Sequence, residues 1–172
     1  MKKNIEIPSR LKRVNTFNGQ LLTPVDFKTE QEYYIKRMKL HNLIFHSSGI
    51  VSGLGVSITK DTPPKVMVSP GLAIDPYGNF IILPKAELAP FPEKGSLVYI
   101  IIYWAERETD FVPMPTGGDD VETVALRIEE YAIFKCEPKQ SSSSQNGIAL
   151  ARLKKIRGKW KLDKQFKVRQ CR

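Results

Sequence analysis

The sequence predicts an α+β fold, a mainly antiparallel β-sandwich or barrel-like domain entered through one long N-terminal helix. Three observations carry that expectation. No Gly or Pro interrupts the chain from Val25 to His46, so a helix of roughly six turns fits there. After Gly49, short β-prone runs alternate with clusters of Gly, Pro, Asp and Asn, the punctuation of a β domain. The run Leu97–Trp104, LVYIIIYW, is the most β-prone of all and nearly continuous in apolar character, as a central strand covered on both faces would be.

In chain order, residues 1–15 read as an extended arm and residues 16–172 as a single domain, with the helix over 24–46 and β structure over 50–172. Met1–Val14 is basic and polar with a single Pro, and such an arm is ordered by a neighbour rather than by itself. Thr23 suits the N-cap, Pro24 the first helical position, and Asp26 the answering acid of a capping box at the positive end of the helix dipole. Ser47-Ser48-Gly49 ends the helix, with Gly49 available for a left-handed C-terminal cap. Phe27, Tyr34, Met38 and Phe45 recur at helical spacing, broadened by Ile35, Leu40, Leu43 and Ile44. That wide apolar stripe is expected to pack on a sheet or be clamped between partners.

Ile50–Ile58 alternates as one strand whose glycines signal a bulge or a close backbone approach. Lys60–Pro64 is a loop, and Val66–Val68 and Leu72–Ile74 are short strands around Ser69-Pro70-Gly71. Asp75-Pro76-Tyr77-Gly78-Asn79 forms a turn into Phe80–Leu83, making a hairpin. Pro84–Gly95, with its prolines, reads as an irregular crossing, and Glu106–Glu122 as a long polar loop. Ala125–Phe134 allows a helical turn by composition, while Tyr131–Phe134 favours a strand. Ser141–Gly147 is linker-like. Ile148–Ile156, a turn at Arg157-Gly158-Lys159 and a return through Trp160–Leu162 predict a C-terminal hairpin.

The net charge of +9 is located at one end. Ala151–Arg172 holds ten Lys or Arg against one acid, Asp163, while the remainder has 17 of each sign. Lys155, Arg157, Lys159, Lys161, Lys167 and Arg169 tend to alternate with other residues, as the solvent face of strands does. No recognition-helix, metal-finger or RNP-like pattern accompanies them, so contact with an acidic partner protein is favoured over nucleic acid. Cys136 and Cys171 are too few for a disulfide framework and are expected as reduced thiols. MKKNIEIPSR lacks the apolar core of a signal peptide. The longest apolar run, Leu97–Ile102, is far short of the roughly 20 residues a membrane span needs. The expectation is a cytoplasmic protein with no membrane insertion.

Catalytic and metal chemistry find little support. His41 and His46, five residues apart on a helix, differ by about 140° of rotation and are not expected to share a ligand face. Glu106, Glu108 and Asp110 resemble a carboxylate pair site, yet acids in a loop after a strand end are ordinarily solvated. Asp119-Asp120 with Glu122 lacks the glycine-spaced pattern of a calcium loop. Gly49, Gly53 and Gly55 follow a helix instead of preceding one, the reverse of a phosphate-binding loop. No catalytic, cofactor-binding or metal residue is therefore assigned, and no enzyme activity is expected.

GQLLTPVDFKTEQEYYIKRMKLHN followed by GIVSGLGVSI, then VMVSPGLAIDPYGNFIILP and LVYIIIYWAERETD, resembles the signature of a family of small β-rich structural proteins. That family is associated with bacterial contractile injection systems and phage-tail-like particles. The pieces cover roughly two thirds of the chain in the family's order, and Ser47 stands where the family has Gly in a His-Gly-x-Gly turn. The resemblance implies a structural subunit at the baseplate or fibre end of such a particle, oligomeric in its assembly, with other subunits as partners. Phe27, Tyr34, Met38 and Phe45, with Lys155, Arg157, Lys159 and Lys161, are then the interface candidates. The alternative is a soluble nucleic-acid or polyanion binder using the basic C-terminal segment, recognisable by a steep salt dependence.

Overall fold

The computed structural model describes residues 10–115, 121–138 and 147–172. Its elements are one helix, α1 (Pro24–Phe45), and strands β1 (Gly49–Gly53), β2 (Val56–Ile58), β3 (Val66–Val68), β4 (Gly71–Ile74), β5 (Phe80–Leu83), β6 (Glu87–Ala89), β7 (Leu97–Pro115), β8 (Val121–Glu137), β9 (Ile148–Ile156) and β10 (Lys159–Leu162). The fold is α+β with an N-terminal helix, as the sequence predicts, and every strand ladder is antiparallel. Sheet orders are β1-β4-β5, β2-β3-β6 and β10-β9-β7-β8.

The helix starts as its sequence dictates. The Thr23 N–H and hydroxyl both donate to the Asp26 carboxylate, at 2.8 and 2.7 Å, and these bonds hold the Asp26 carboxyl below its usual range. Its end differs from expectation. His46 caps the helix in extended conformation, with φ −122°, so the chain straightens directly and Gly49 forms no left-handed cap. Gly49 is needed for space instead, since a Cβ there would lie 2.6 Å from the Gln170 carbonyl carbon.

The expected single strand over Ile50–Ile58 is two strands in two sheets. Gly53 (φ +64°) and Leu54 (φ 56°) turn the chain between them, and the paired segment does the same at Ser69–Gly71, where Leu54 N–H donates to Pro70 O and Ser69 N–H to Gly55 O. Leu54 is held in the left-handed region, at a cost of about 1–2 kcal/mol, because its side chain is fully buried in the core. The β4–β5 hairpin forms as expected. Asp75 is buried at its turn and accepts from the backbone of Tyr77 and Asn79 and from the Asn79 amide, an Asx turn that fixes the tip.

Two expectations are corrected and an open one is settled. Pro84–Gly95 contains a short strand, β6, paired to β3. Glu106–Glu122 is expected to be a loop. In its described part Glu106–Pro115 continues β7, and Val121 and Glu122 open β8. That pairing also settles Ala125–Phe134 as strand, since each residue opposite it supplies ladder partners that a helix would forfeit. The serine run Ser141–Ser144 and the first nine residues of the arm lie outside the described residues.

The core forms where the sheets face one another. Val98, Ile100 and Ile102 of β7 and Ile148, Leu150 and Leu153 of β9 meet Ile50, Leu54, Val66, Val68, Ala73, Ile81 and Leu83. Tyr99 and Ile101, pointing the other way from β7, are buried too, so the central strand is covered on both faces as its continuous apolar run requires.

Candidate docking surfaces

Three surfaces of the described chain leave large apolar or charged side chains exposed. The first is the helix. Asn42 is its one buried residue among those described, and its amide donates to Gly78 O at 2.9 Å. Lys39 stands beside it, with its ammonium over the Trp104 ring at 5.0 Å. These contacts tie α1 near its C-terminal end to the β4–β5 turn and to β7. Phe27 and Phe45 lie about 60° around the helix from Asn42, counting about 100° per residue. The expected packing of the stripe on the chain's own sheet is nevertheless not found. Phe27 is 59% exposed, Tyr34 61%, Met38 53% and Phe45 68%. The reason is where the anchor lies: the β4–β5 turn meets the helix at Lys39 and Asn42, near its C-terminal end, and the stripe beside that line is left uncovered.

That approach makes a prediction. A Cβ on Gly78 would sit 2.5 Å from Lys39 O, and Gly78 has φ +82°. Gly78→Ala is expected to destabilise the chain by about 1–2 kcal/mol from the backbone alone, with further loss as the helix is pushed off. Urea melts of the two proteins measure it.

Other helix interactions are local. Glu32 and Lys36 pair at 2.6 Å in the i, i+4 relation, and Lys36 holds the Glu32 carboxyl low. The His41 ring lies 5.0 Å from that of Phe45 and 5.4 Å from that of His46. The two histidines do approach, contrary to helical spacing, because His46 has already left the helix. Among the described residues no group of three or more His, Cys, Asp or Glu is placed to hold a metal ion. Val14 N–H donates to Glu30 Oε2 at 3.0 Å, so the described part of the arm returns along the helix.

The second surface is the far half of the β7–β8 hairpin. β9 accompanies β7 only from Leu97 to Ile102, and beyond Ala105 the two long strands have only each other as ladder partners. From Glu106 to Met114 and from Glu122 to Glu130 no described side chain is buried. The inward face, which carries Ile100, Ile102 and Trp104 opposite Cys136, Phe134 and Ala132, continues outward as Glu106 opposite Glu130 and Glu108 opposite Ile128. Ile128 and Leu126 are exposed there. Arg107 pairs with Glu129 and Arg127 with Asp110; exposed pairs like these set register more than stability. Further in, burial followed by the Glu137 charge raises the Cys136 thiol, which suits a packing thiol better than a reactive one.

The third surface is the basic end. Lys155, Arg157, Lys159 and Lys161 are all exposed. Lys159 and Lys161 alternate with half-buried Trp160 and Leu162 along β10, as expected, and β10 is a sheet edge, where lysines discourage uncontrolled pairing. Arg157 sits at the turn with φ 50° beside Gly158. Lys167 and Arg169 are exposed but follow the last strand, so their alternation belongs to an extended tail and not to a ladder.

The sequence did not show how that tail is held. Asp163, the acid of the basic segment, takes Lys154 at 2.8 Å and also Arg152. Lys154 is the main reason its carboxyl is held down to about 2, with the Gln165 N–H and Arg152 adding to the effect against the opposing pull of burial. The Arg152 guanidinium is raised first by Tyr99 and then by Asp163, and it also lies over the Phe166 ring at 5.5 Å. The tail then pairs beside β1. Ile50 N–H donates to Arg169 O and Cys171 N–H to Ile50 O. Ser47 N–H donates to Arg172 O, while its hydroxyl accepts from Arg172 N–H. Ser47, where the resembled family has Gly, thus fastens the C-terminal residue. A groove of about 330 Å³ opens beneath this tail, lined by Leu54, Leu150, Phe166 and Val168 with Arg152 and Asp163, whose charges are already spent on each other.

A pH dependence follows. Because the folded-state value of Asp163 lies below its ordinary 3.8, its contribution is present above about pH 4 and disappears as pH falls toward 2. Asp163→Asn is expected to lower Tm at pH 7, with the gap to wild type closing between about pH 4 and pH 2. A gap of constant size across that range would show that the carboxylate charge is not what holds the tail.

No family model matches the sequence, and no curated protein matches it. Solved structures do. The fold is similar to a chain of the type VI secretion system TssK-TssF-TssG baseplate subcomplex, with TM-score 0.59 and 15% identity over 92% of this chain and 62% of that one. It is similar to a chain of the baseplate complex from the type VI secretion system, with TM-score 0.56 and 14% identity over 94% of this chain and 42% of that one. The crystal structure of TssK gives TM-score 0.54 and 12% identity over 90% and 41% of the two chains. This chain spans less than two thirds of the length of each. At these identities the likeness is one of fold.

Proposed function

We propose that this chain is a non-enzymatic structural subunit of a contractile-injection-system or phage-tail-like particle, placed at the baseplate or fibre end. The observation that carries this is the helix stripe, four large apolar side chains left more than half exposed on the segment that bears the sequence resemblance. A water-facing stripe of that size is a docking face. The likeness of fold to chains of type VI baseplate structures supports the same reading. In it the protein is made in the cytoplasm, needs no cofactor, and is partnered by other subunits of the particle. No described helix is long and apolar enough to cross a membrane. The test is to purify the particle from cells carrying a tagged chain and look for the tag at one end by electron microscopy. A tag recovered only as free monomer would overturn the proposal.

The second reading, a polyanion binder, draws on the exposed Arg157, Lys159 and Lys161. Against it, Arg152 and Lys154 are engaged by Asp163, which thins the field a phosphate backbone would meet. Replacing Lys155, Arg157, Lys159 and Lys161 by Gln is expected to weaken incorporation into particles, with the difference from wild type shrinking at higher salt, because exposed charges steer docking and salt screens them. Tight DNA or RNA binding near physiological salt, lost in this variant, would favour the second reading instead.

A further inference from the structure

β7 is 19 residues long, with basic residues of β9 beside its start and acidic residues along its outer half. At its start, Leu97 pairs with Lys154 of β9, next to the Arg157–Gly158 turn and the exposed lysines of β10. At its other end it forms the projecting arm, which starts at Glu106 roughly 30 Å away and has its last paired residue, Pro115, roughly 60 Å away at about 3.3 Å per residue. The described arm, Glu106–Pro115 with Val121–Glu130, has six carboxylates against two arginines. Both arginines are engaged within the arm, by Glu129 and Asp110.

What remains on the inward face is Glu106 directly opposite Glu130, with Glu108 next along and opposite Ile128. Like charges facing each other across a ladder repel, and among the described residues no cation is paired to them. An apolar, acidic face of this kind wants a partner that brings ammonium groups with apolar surface between them. The basic end has that composition. Lys159 and Lys161 flank the edge of the sheet, Ile156 lies exposed opposite Lys159, and Trp160 is half-buried between the lysines.

We infer that the acidic arm of one copy docks on the β9–β10 end of a second copy, head to tail. The two surfaces lie at opposite ends of one chain, so each copy can donate an arm and receive one. Such a heterologous contact closes into a ring or runs on as a filament. This inference rests on the assembly reading of the basic segment and names the partner that the segment meets.

The test uses the full-length chain in sedimentation velocity at low and high salt. One variant carries Glu106→Lys, Glu108→Lys and Glu130→Lys; the other carries Lys159→Glu and Lys161→Glu. All five side chains are exposed, and circular dichroism melts confirm that each variant is folded. The wild type is expected to self-associate at low salt and to lose that association at high salt. Each variant alone is expected to be monomeric, since its two ends then have the same sign. An equimolar mixture is expected to associate again, because the reversed arm of one variant complements the reversed β10 end of the other, and the unchanged arm complements the unchanged basic end. A wild type that stays monomeric at low salt, association indifferent to salt, variants that associate like wild type, or a mixture that stays apart would each overturn the inference. If the chain nevertheless enters particles, the subunit reading survives and only the head-to-tail contact fails.

Discussion

Ile100→Ala is expected to destabilise the isolated chain by about 2–5 kcal/mol, the usual cost of emptying a buried branched site. Ile100 is fully buried in the core, with Cys136 on one side of it in the ladder and Ala151 on the other. Both flanking side chains are small, so neither can expand into the space left behind. The matched control is Phe45→Ala. A buried aromatic would lose about 3–5 kcal/mol on the same change, but Phe45 is exposed, and the expected change in the free chain is within about 0.5 kcal/mol. Denaturant melts of both variants measure the contrast. If Phe45→Ala proved as costly as Ile100→Ala, the helix would be part of the core and the stripe would cease to be a docking face.

The second large effect belongs to assembly. Phe45→Ala is expected to weaken incorporation of the chain into its particle by about 30-fold, the equivalent of about 2 kcal/mol for an aromatic anchor. Changing Phe27, Tyr34, Met38 and Phe45 together to Ser is expected to abolish incorporation while leaving Tm of the free chain close to that of wild type. Competition between tagged wild-type and variant chains expressed with the particle gives the ratio. Equal incorporation would contradict the assignment of the stripe.

Much of this was readable from the residues because the relevant physics is local. Thr23, Pro24 and Asp26 start a helix wherever they stand, and the Asp75–Asn79 turn closes on its own side chains. The strands β9 and β10 follow from alternation and from the Arg157–Gly158 turn. The misreadings arise where a partner distant in sequence decides. Glu106–Pro115 is polar and contains prolines, so it reads as a loop; Val121–Glu130 supplies the ladder that makes it a strand. Ile50–Ile58 reads as one strand because alternation does not reveal that Gly53 and Leu54 must pass Pro70 and Gly71. The stripe residues were legible as apolar and helical, but which side of the helix meets the β domain is set by Asn42 and Gly78, 36 residues apart. Likewise, Asp163 stood out as the one acid of the basic segment, whereas its grip on Lys154 and Arg152 needed the β9–β10 register to become visible.

The central claim is that the helix stripe is a surface kept for a partner. Hydroxyl-radical footprinting of Phe27, Tyr34, Met38 and Phe45, read by mass spectrometry in the free chain and in the purified particle, tests it most directly. The account predicts that all four side chains react readily in the free protein, as their exposure requires, and are strongly protected in the particle. Equal reactivity in the two states would contradict it, because the stripe would then face water even in the assembly it is proposed to build.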